Sequence, residues 1–152
     1  MLKIAKEADI LAYFNSAYNH RKYTYYGFYN SHFNQIVTDQ QFMLLPVDDR
    51  TATRAHGVFD VLYLKKKCIV NMHHHISRLF QSAASVNIVP PFDQERTEQI
   101  VVDVVEQTIA HHLQNDQNGE LRNKFLNDGL GIRVTITSGF GDLSVASLVR
   151  NG

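Results

Sequence analysis

Apolar residues recur along this chain with two periods, and the switches between them outline its elements. Near the start, Ile10, Leu11, Phe14 and Tyr18 fall at helical spacing, which predicts an amphipathic helix over residues 5–18. The aromatic run 23–29 (YTYYGFY) reads as a strand, because such side chains suit a pleated, half-buried surface. Asn30, Ser31 and His32 read as a turn and 33–38 as the returning strand. After a turn at Asp39, 42–47 reads as a further short strand, so this part of the chain is expected to be an antiparallel meander.

Residues 58–64 are apolar on both faces except at Asp60, which predicts a central strand. A period of two sends Phe59, Val61 and Tyr63 to one side and Val58, Asp60, Leu62 and Leu64 to the other. Lys65, Lys66 and Lys67 make a solvated turn, and a second strand follows near Cys68–Val70. Helical spacing returns over 74–86, with Ile76, Leu79, Phe80 and Ala83 on one face. Pro90 and Pro91 end that segment. Asp93 suits the N-cap of a long helix over 94–114, whose buried stripe runs from Ile100 and Val101 to Ile109 and His112. The polar stretch 115–130 reads as an exposed loop, and 132–137 alternates as the last strand. The pattern therefore predicts an α+β domain, an antiparallel sheet of about five or six strands packed against two or three helices.

Composition narrows the class. A chain of 152 residues with 44% apolar and 20% charged residues reads as one globular domain. The formal net charge is zero, which favours neither nucleic acid nor an anionic membrane as partner. No apolar run approaches the ~18–20 residues that a membrane span needs. Cys68 is the single cysteine, which excludes an intrachain disulfide and allows a reducing compartment, cytoplasmic or mitochondrial. Basic residues in 1–28 are accompanied by Glu7 and Asp9, which leaves weak evidence for a transit peptide.

Three positions invite chemistry on residue type alone. Arg78, in the first turns of a helix, can hold a phosphate by paired charged hydrogen bonds, or can pair with a neighbouring carboxylate at the surface. His75 lies three residues earlier on the same helix face. Asp60 is a carboxylate inside an apolar strand, costly to bury unless paired, with Arg50 and Arg54 as candidate partners. His73, His74 and His75 are adjacent and cannot all face one ion, so no metal site is expected.

The run Arg54-Ala55-His56-Gly57-Val58-Phe59-Asp60, followed by His75-Ile76-Ser77-Arg78-Leu79-Phe80-Gln81-Ser82-Ala83, resembles the N-terminal domain of class IV aminotransferases. These fold-type IV enzymes use pyridoxal phosphate and include D-amino acid transaminases, branched-chain aminotransferases and aminodeoxychorismate lyases. The nearest resemblance is to the plant and algal D-amino acid transaminase-like and lyase-like subgroup. It assigns 23–145 to that domain, 1–22 to an N-terminal helix and lead-in, and 146–152 to a truncated linker. It implies that Arg78 binds the cofactor phosphate and that His75 stands close by. Asp60 falls at the edge of the cofactor site, Phe59 in the wall of the substrate pocket, and Arg133 at the position of a pocket arginine in branched-chain aminotransferases. Read as residues alone, Phe59 is equally a core aromatic and Arg133 an edge or surface residue. Phe59 also lacks the hydroxyl with which a Tyr holds a substrate carboxylate, which weighs against D-amino acid specificity. Ala55 stands where the subgroup usually has Gly, and costs about 1 kcal/mol if that position needs a positive φ.

The family holds its cofactor covalently on a lysine of a second domain. None of the lysines here (Lys3, Lys6, Lys22, Lys65, Lys66, Lys67, Lys124) stands in that place, so no catalytic residue is expected in this chain and the second domain is expected to be missing. The leading expectation is the N-terminal half of an enzyme that moves an amino group between an amino acid and a 2-oxo acid, not catalytic alone. The alternatives are a non-catalytic structural subunit of a larger assembly, half of an aminodeoxychorismate lyase-type enzyme, and a binder that keeps phosphate recognition without chemistry. The expected partner is the second domain on another polypeptide, or a larger assembly. An apolar face left uncovered would drive the chain to associate into oligomers.

Overall fold

The computed structural model describes residues 3–19 and 24–141. Tyr23 and the expected linker 146–152 lie outside the described residues. The chain divides into two compact units, residues 1–44 and 45–152.

The first unit contains helix α1 (Glu7–Asn19) and a hairpin of β1 (Phe28–Asn30) and β2 (Gln35–Val37). The hairpin register pairs Phe28 with Val37 and Asn30 with Gln35. Its turn is closed by asparagines: Asn30 accepts the His32 N–H at 2.9 Å, and Asn34 takes a left-handed φ of 51° that this residue type tolerates. Both strands are shorter than the aromatic run suggested. The strand expected over 42–47 is absent, and a 3-10 turn, Gln40–Phe42, stands at its start. The Asp39 carboxylate accepts both the backbone N–H and the side-chain amide of Gln41, which gives the backbone a local alternative to a strand ladder.

The second unit is built on a three-stranded antiparallel sheet in the order β4-β3-β5, from β3 (Gly57–Lys65), β4 (Cys68–Ile69) and β5 (Leu130–Thr137). β3 is central, as its apolar run predicts, and pairs with β5 along eight positions from Gly57–Thr137 to Leu64–Leu130. The five described strands thus fall into two separate sheets. Short helix α2 (Arg50–Arg54) precedes β3. It is capped by Asp49, whose carboxylate accepts the Thr51 N–H at 2.7 Å and the Thr137 hydroxyl at 3.0 Å. Asp49 is buried and so fastens the entry of β3 to the exit of β5.

Helix α3 (Met72–Ser85) lies on one face of this sheet, and helix α4 (Gln94–Gln114) packs beside it. The Asp93 cap is present, with its carboxylate 2.7 Å from the Arg96 N–H. The core follows the periods: Leu62 of β3 meets Ile76 of α3 and Val101 of α4, while Leu79 and Ala83 meet Ile88 and Ile136. The stretch 115–130, expected as an exposed loop, instead forms helix α5 (Glu120–Asn123) and a π-type turn over Lys124–Asp128. Phe125 anchors it, 1% exposed, with its ring edge-on to His112 of α4. Asp116 accepts the N–H groups of Leu121 and Arg122, which starts α5 without an apolar stripe long enough to betray it.

The other face of the sheet is open among the described residues. Phe59, Val61 and Tyr63 are exposed there, while their neighbours Asp60, Leu62 and Leu64 are buried under the helices. The alternation read from the sequence is therefore obeyed, with helices on one side only.

Candidate functional site

The turn that delivers β3 is made by Ala55, His56 and Gly57. Ala55 ends α2 with φ 52° and ψ 27°, the left-handed conformation in which Ala was expected to be strained. His56 then becomes a junction: its ring Nε2 lies 3.0 Å from the Val86 carbonyl at the end of α3, and its own carbonyl accepts the Ser138 N–H. Gly57 leaves no room for a side chain, since a Cβ would stand 2.5 Å from the Thr51 hydroxyl oxygen. These contacts set the phase of β3 so that Asp60 points at α3.

Asp60 is 7% exposed and is held by Arg78 of α3, not by the Arg50 or Arg54 that sequence proximity suggested. Arg78 Nε donates to Asp60 Oδ2 at 2.8 Å and Nη2 donates to Oδ1 at 2.7 Å, a two-pronged pair. The Val61 N–H donates to the same carboxylate at 2.7 Å. His75 Nδ1 lies 3.2 Å from Oδ1. An ionised carboxylate only accepts, so Nδ1 carries the proton in that contact. The 3.3 Å approach of Arg78 Nη2 to Nδ1 is then a meeting of two donors and not a bond. The Arg78 guanidinium, with His75 and the Val61 N–H assisting, holds the Asp60 carboxyl well below the usual carboxylate range, against burial, which pushes it up. In return Asp60 raises the pKa of Arg78.

The five residues singled out from the sequence thus form two groups. Asp60, His75 and Arg78 gather between β3 and α3. Phe59 and Arg133 sit on the opposite, open face, where the Arg133 guanidinium carbon lies 3.7 Å from the centre of the Phe59 ring. Cross-strand pairing of Val61 with Arg133 puts the arginine on that face. Among the described residues no group of histidine, cysteine and acidic side chains could hold a metal ion, and no helix is long and apolar enough to cross a membrane. The Asp60–Arg78 link was missed in the sequence because the partners are 18 residues apart. Its signal was present in two halves, an acid on the covered face of a strand and an arginine beside the buried stripe of the next helix.

No protein-family model matches the chain. A stretch of 77 residues, 51% of this chain, is 35% identical to the chloroplastic D-amino-acid transaminase of Arabidopsis thaliana. The fold is similar to a branched-chain aminotransferase of the thermophilic archaeon Thermoproteus uzoniensis, solved with norvaline, with a TM-score of 0.55 over 77% of this chain at 19% identity. It is also similar to the branched-chain amino acid aminotransferase of Escherichia coli, with a TM-score of 0.54 over 73% of the chain at 14% identity. The chain thus resembles class IV aminotransferases, over half its length in sequence and more widely in its α+β fold. The match spans 21% of the plant transaminase's own length, and 34% and 32% of the two solved chains.

Proposed function

We propose that this chain supplies the phosphate-anchoring half of a pyridoxal-phosphate-dependent class IV aminotransferase, acting in amino-group transfer between an amino acid and a 2-oxo acid. One observation carries the reading: a domain with this fold presents an arginine fixed by a buried carboxylate, with part of its fork still facing water. Arg78 is 55% exposed, and its Nη1 makes no hydrogen bond among the described residues. That donor set fits a phosphate, which takes planar, paired N–H contacts. Pyridoxal phosphate, when bound, supplies the electron sink for moving an amino group. Arg78 would hold its phosphate end, and Asp60 and His75 would keep Arg78 in place.

The chain's own lysines support only half of such a site. Among the described residues they lie in the N-terminal lead-in, in the β3–β4 turn and at Lys124. Of those in the second unit none is on α3, and Lys65 lies ~17 Å from Asp60 along β3. In this reading the lysine that carries the cofactor would come from another stretch of protein or another polypeptide. The open face with Phe59, Val61 and Tyr63 is the surface on which that partner or a substrate would rest, with Arg133 available to a carboxylate. Whether the completed enzyme releases an amino acid or performs lyase chemistry is decided by the partner. A structural role in a larger assembly is the second reading, favoured by the same open apolar face.

Calorimetric titration with pyridoxal phosphate and with pyridoxal tests the cofactor reading. The expected result is binding that depends on the phosphate and disappears in Arg78→Ala. Equal affinity for the two compounds, or titration curves unchanged by the substitution, would remove Arg78 from the site and the reading with it.

A further inference from the structure

We infer that Asp60 is a positioning residue for anion binding: it decides which edge of the Arg78 guanidinium meets a phosphate, and leaves the Nη1 end for that purpose. A guanidinium has two forked edges. The side edge, Nε with Nη2, is filled by the two Asp60 oxygens at 2.8 and 2.7 Å. The end edge keeps one N–H of Nη1 and the outer N–H of Nη2, on a side chain that is 55% exposed. An arriving phosphate cannot take the side edge as well. Drawing Arg78 away would leave a carboxylate that is 7% exposed with only the Val61 N–H and His75 to hold it.

Asp60 is suited to this task because it is itself buried and hydrogen-bonded. It sits on the central strand, paired across to Val134 of β5, with its side chain fixed by its own strand and by α3. Arg78 by contrast is a long, exposed side chain midway along α3 and not in its first turn, and without an anchor it would be spread over many rotamers. Holding it costs the site some attraction, since the Asp60 charge lies behind the guanidinium and repels the same anion. Positioning and repulsion predict opposite outcomes for one substitution, which makes them separable. The inference rests on the cofactor reading only for the identity of the phosphate's owner.

The test compares the wild-type chain with Asp60→Asn and Asp60→Glu, using pyridoxal phosphate, pyridoxal and inorganic phosphate as probes. Asn offers one acceptor and turns an amide donor toward the Arg78 donors. Glu keeps the charge but moves it by one methylene. Circular dichroism melts establish that each variant folds, and Glu carries the comparison if Asn does not. Affinity for both phosphate probes is expected to fall about tenfold in either variant, the size seen when the orienting partner of a ligand-holding side chain is lost, with pyridoxal unaffected. In nitrogen-15 spectra the Arg78 Nε–H signal is expected to be sharp in the wild type and broadened in both variants, which a merely structural Asp60 would not require. Tighter phosphate binding in Asp60→Asn with Asp60→Glu unchanged would mean that repulsion dominates and would overturn the inference. Wild-type binding of pyridoxal phosphate that neither variant alters would overturn it while sparing the cofactor reading. Asp60-dependent binding of inorganic phosphate, with pyridoxal phosphate no tighter, would sink the cofactor reading and leave the inference standing. Absence of binding by every phosphate probe would overturn both.

Discussion

Replacing Ala55 by glycine should stabilise this domain, and the reverse exchange two residues later should do the opposite. Ala55 closes α2 in the left-handed region, φ 52° and ψ 27°, with its N–H directed at the carbonyls of Arg50 and Thr51. Its methyl group is exposed, so removing it sacrifices no packing. An L-residue with a Cβ pays ~1–2 kcal/mol in this conformation. Glycine escapes that cost but brings ~0.4–1 kcal/mol of extra freedom to the unfolded chain. The balance for Ala55→Gly is a gain of about 0.5–1 kcal/mol, which for a chain of this size raises the melting temperature by roughly 1–4 °C. At Gly57 an added Cβ would stand 2.5 Å from the Thr51 hydroxyl oxygen and 3.3 Å from the Ile136 carbonyl, with no left-handed φ in play. Gly57→Ala should therefore cost about 1–3 kcal/mol as overpacking. Urea unfolding of the two variants beside the wild type measures both, with an unchanged slope showing that the native state alone was altered. A neutral or destabilising Ala55→Gly, or the same sign at both positions, would refute the account of this turn.

The remaining predictions address other parts of the fold. Phe125→Ala should cost ~3–5 kcal/mol, because the ring is 1% exposed and is the anchor of the segment between α4 and β5. A loss under about 1 kcal/mol in chemical denaturation would show that segment to be a surface loop after all. Lys66 and Lys67 close the β3–β4 turn with φ of 49° and 66°, so Lys67→Gly should add about 1 kcal/mol, read as a raised melting temperature. Asp60 should contribute to acid unfolding. Its folded-state pKa lies below the ordinary 3.8, so its stabilising effect is complete above that value and is lost as pH falls through it toward the folded-state pKa. Stability followed from about pH 5 to pH 2 should fall less steeply in Asp60→Asn than in the wild type, and identical slopes would contradict the depressed pKa.

The parts of this structure that announced themselves are those written in a local period. Helix α4 was legible from Asp93 and its apolar stripe, and β3 from the alternation that buries Asp60, Leu62 and Leu64 while exposing Phe59, Val61 and Tyr63. Where a side chain competes with the backbone, the period fails. Asp39 turns its own segment into a 3-10 turn, and Asp116 starts a helix inside a stretch too polar to suggest one. Within the candidate site each residue was legible by type, but the grouping was not. Arg50 and Arg54 are the arginines close to Asp60 in sequence, yet helix α3 returns Arg78 to it across the face of the sheet. The separation of Phe59 from that group follows from strand alternation, whereas the face of Arg133 is set by the β3–β5 register, which no local period carries.

His56 has a consequence for how the domain is assembled over time. Its ring reaches a carbonyl 30 residues ahead, and its own carbonyl is met by a serine hydroxyl 82 residues ahead. Asp49 likewise waits for Thr137, 88 residues on. Strand β3 has a partner of only two residues in β4 until β5 arrives. A chain emerging in order can form α3 and α4 early, yet it cannot complete the sheet around β3 until β5 exists. Such long-range pairing carries a high loop-closure cost and places this domain among slower folders. The β3–β5 ladder is thus the last part of the sheet to close, and exchange of the Asp60 and Val61 amides should become protected later than that of α4 during refolding.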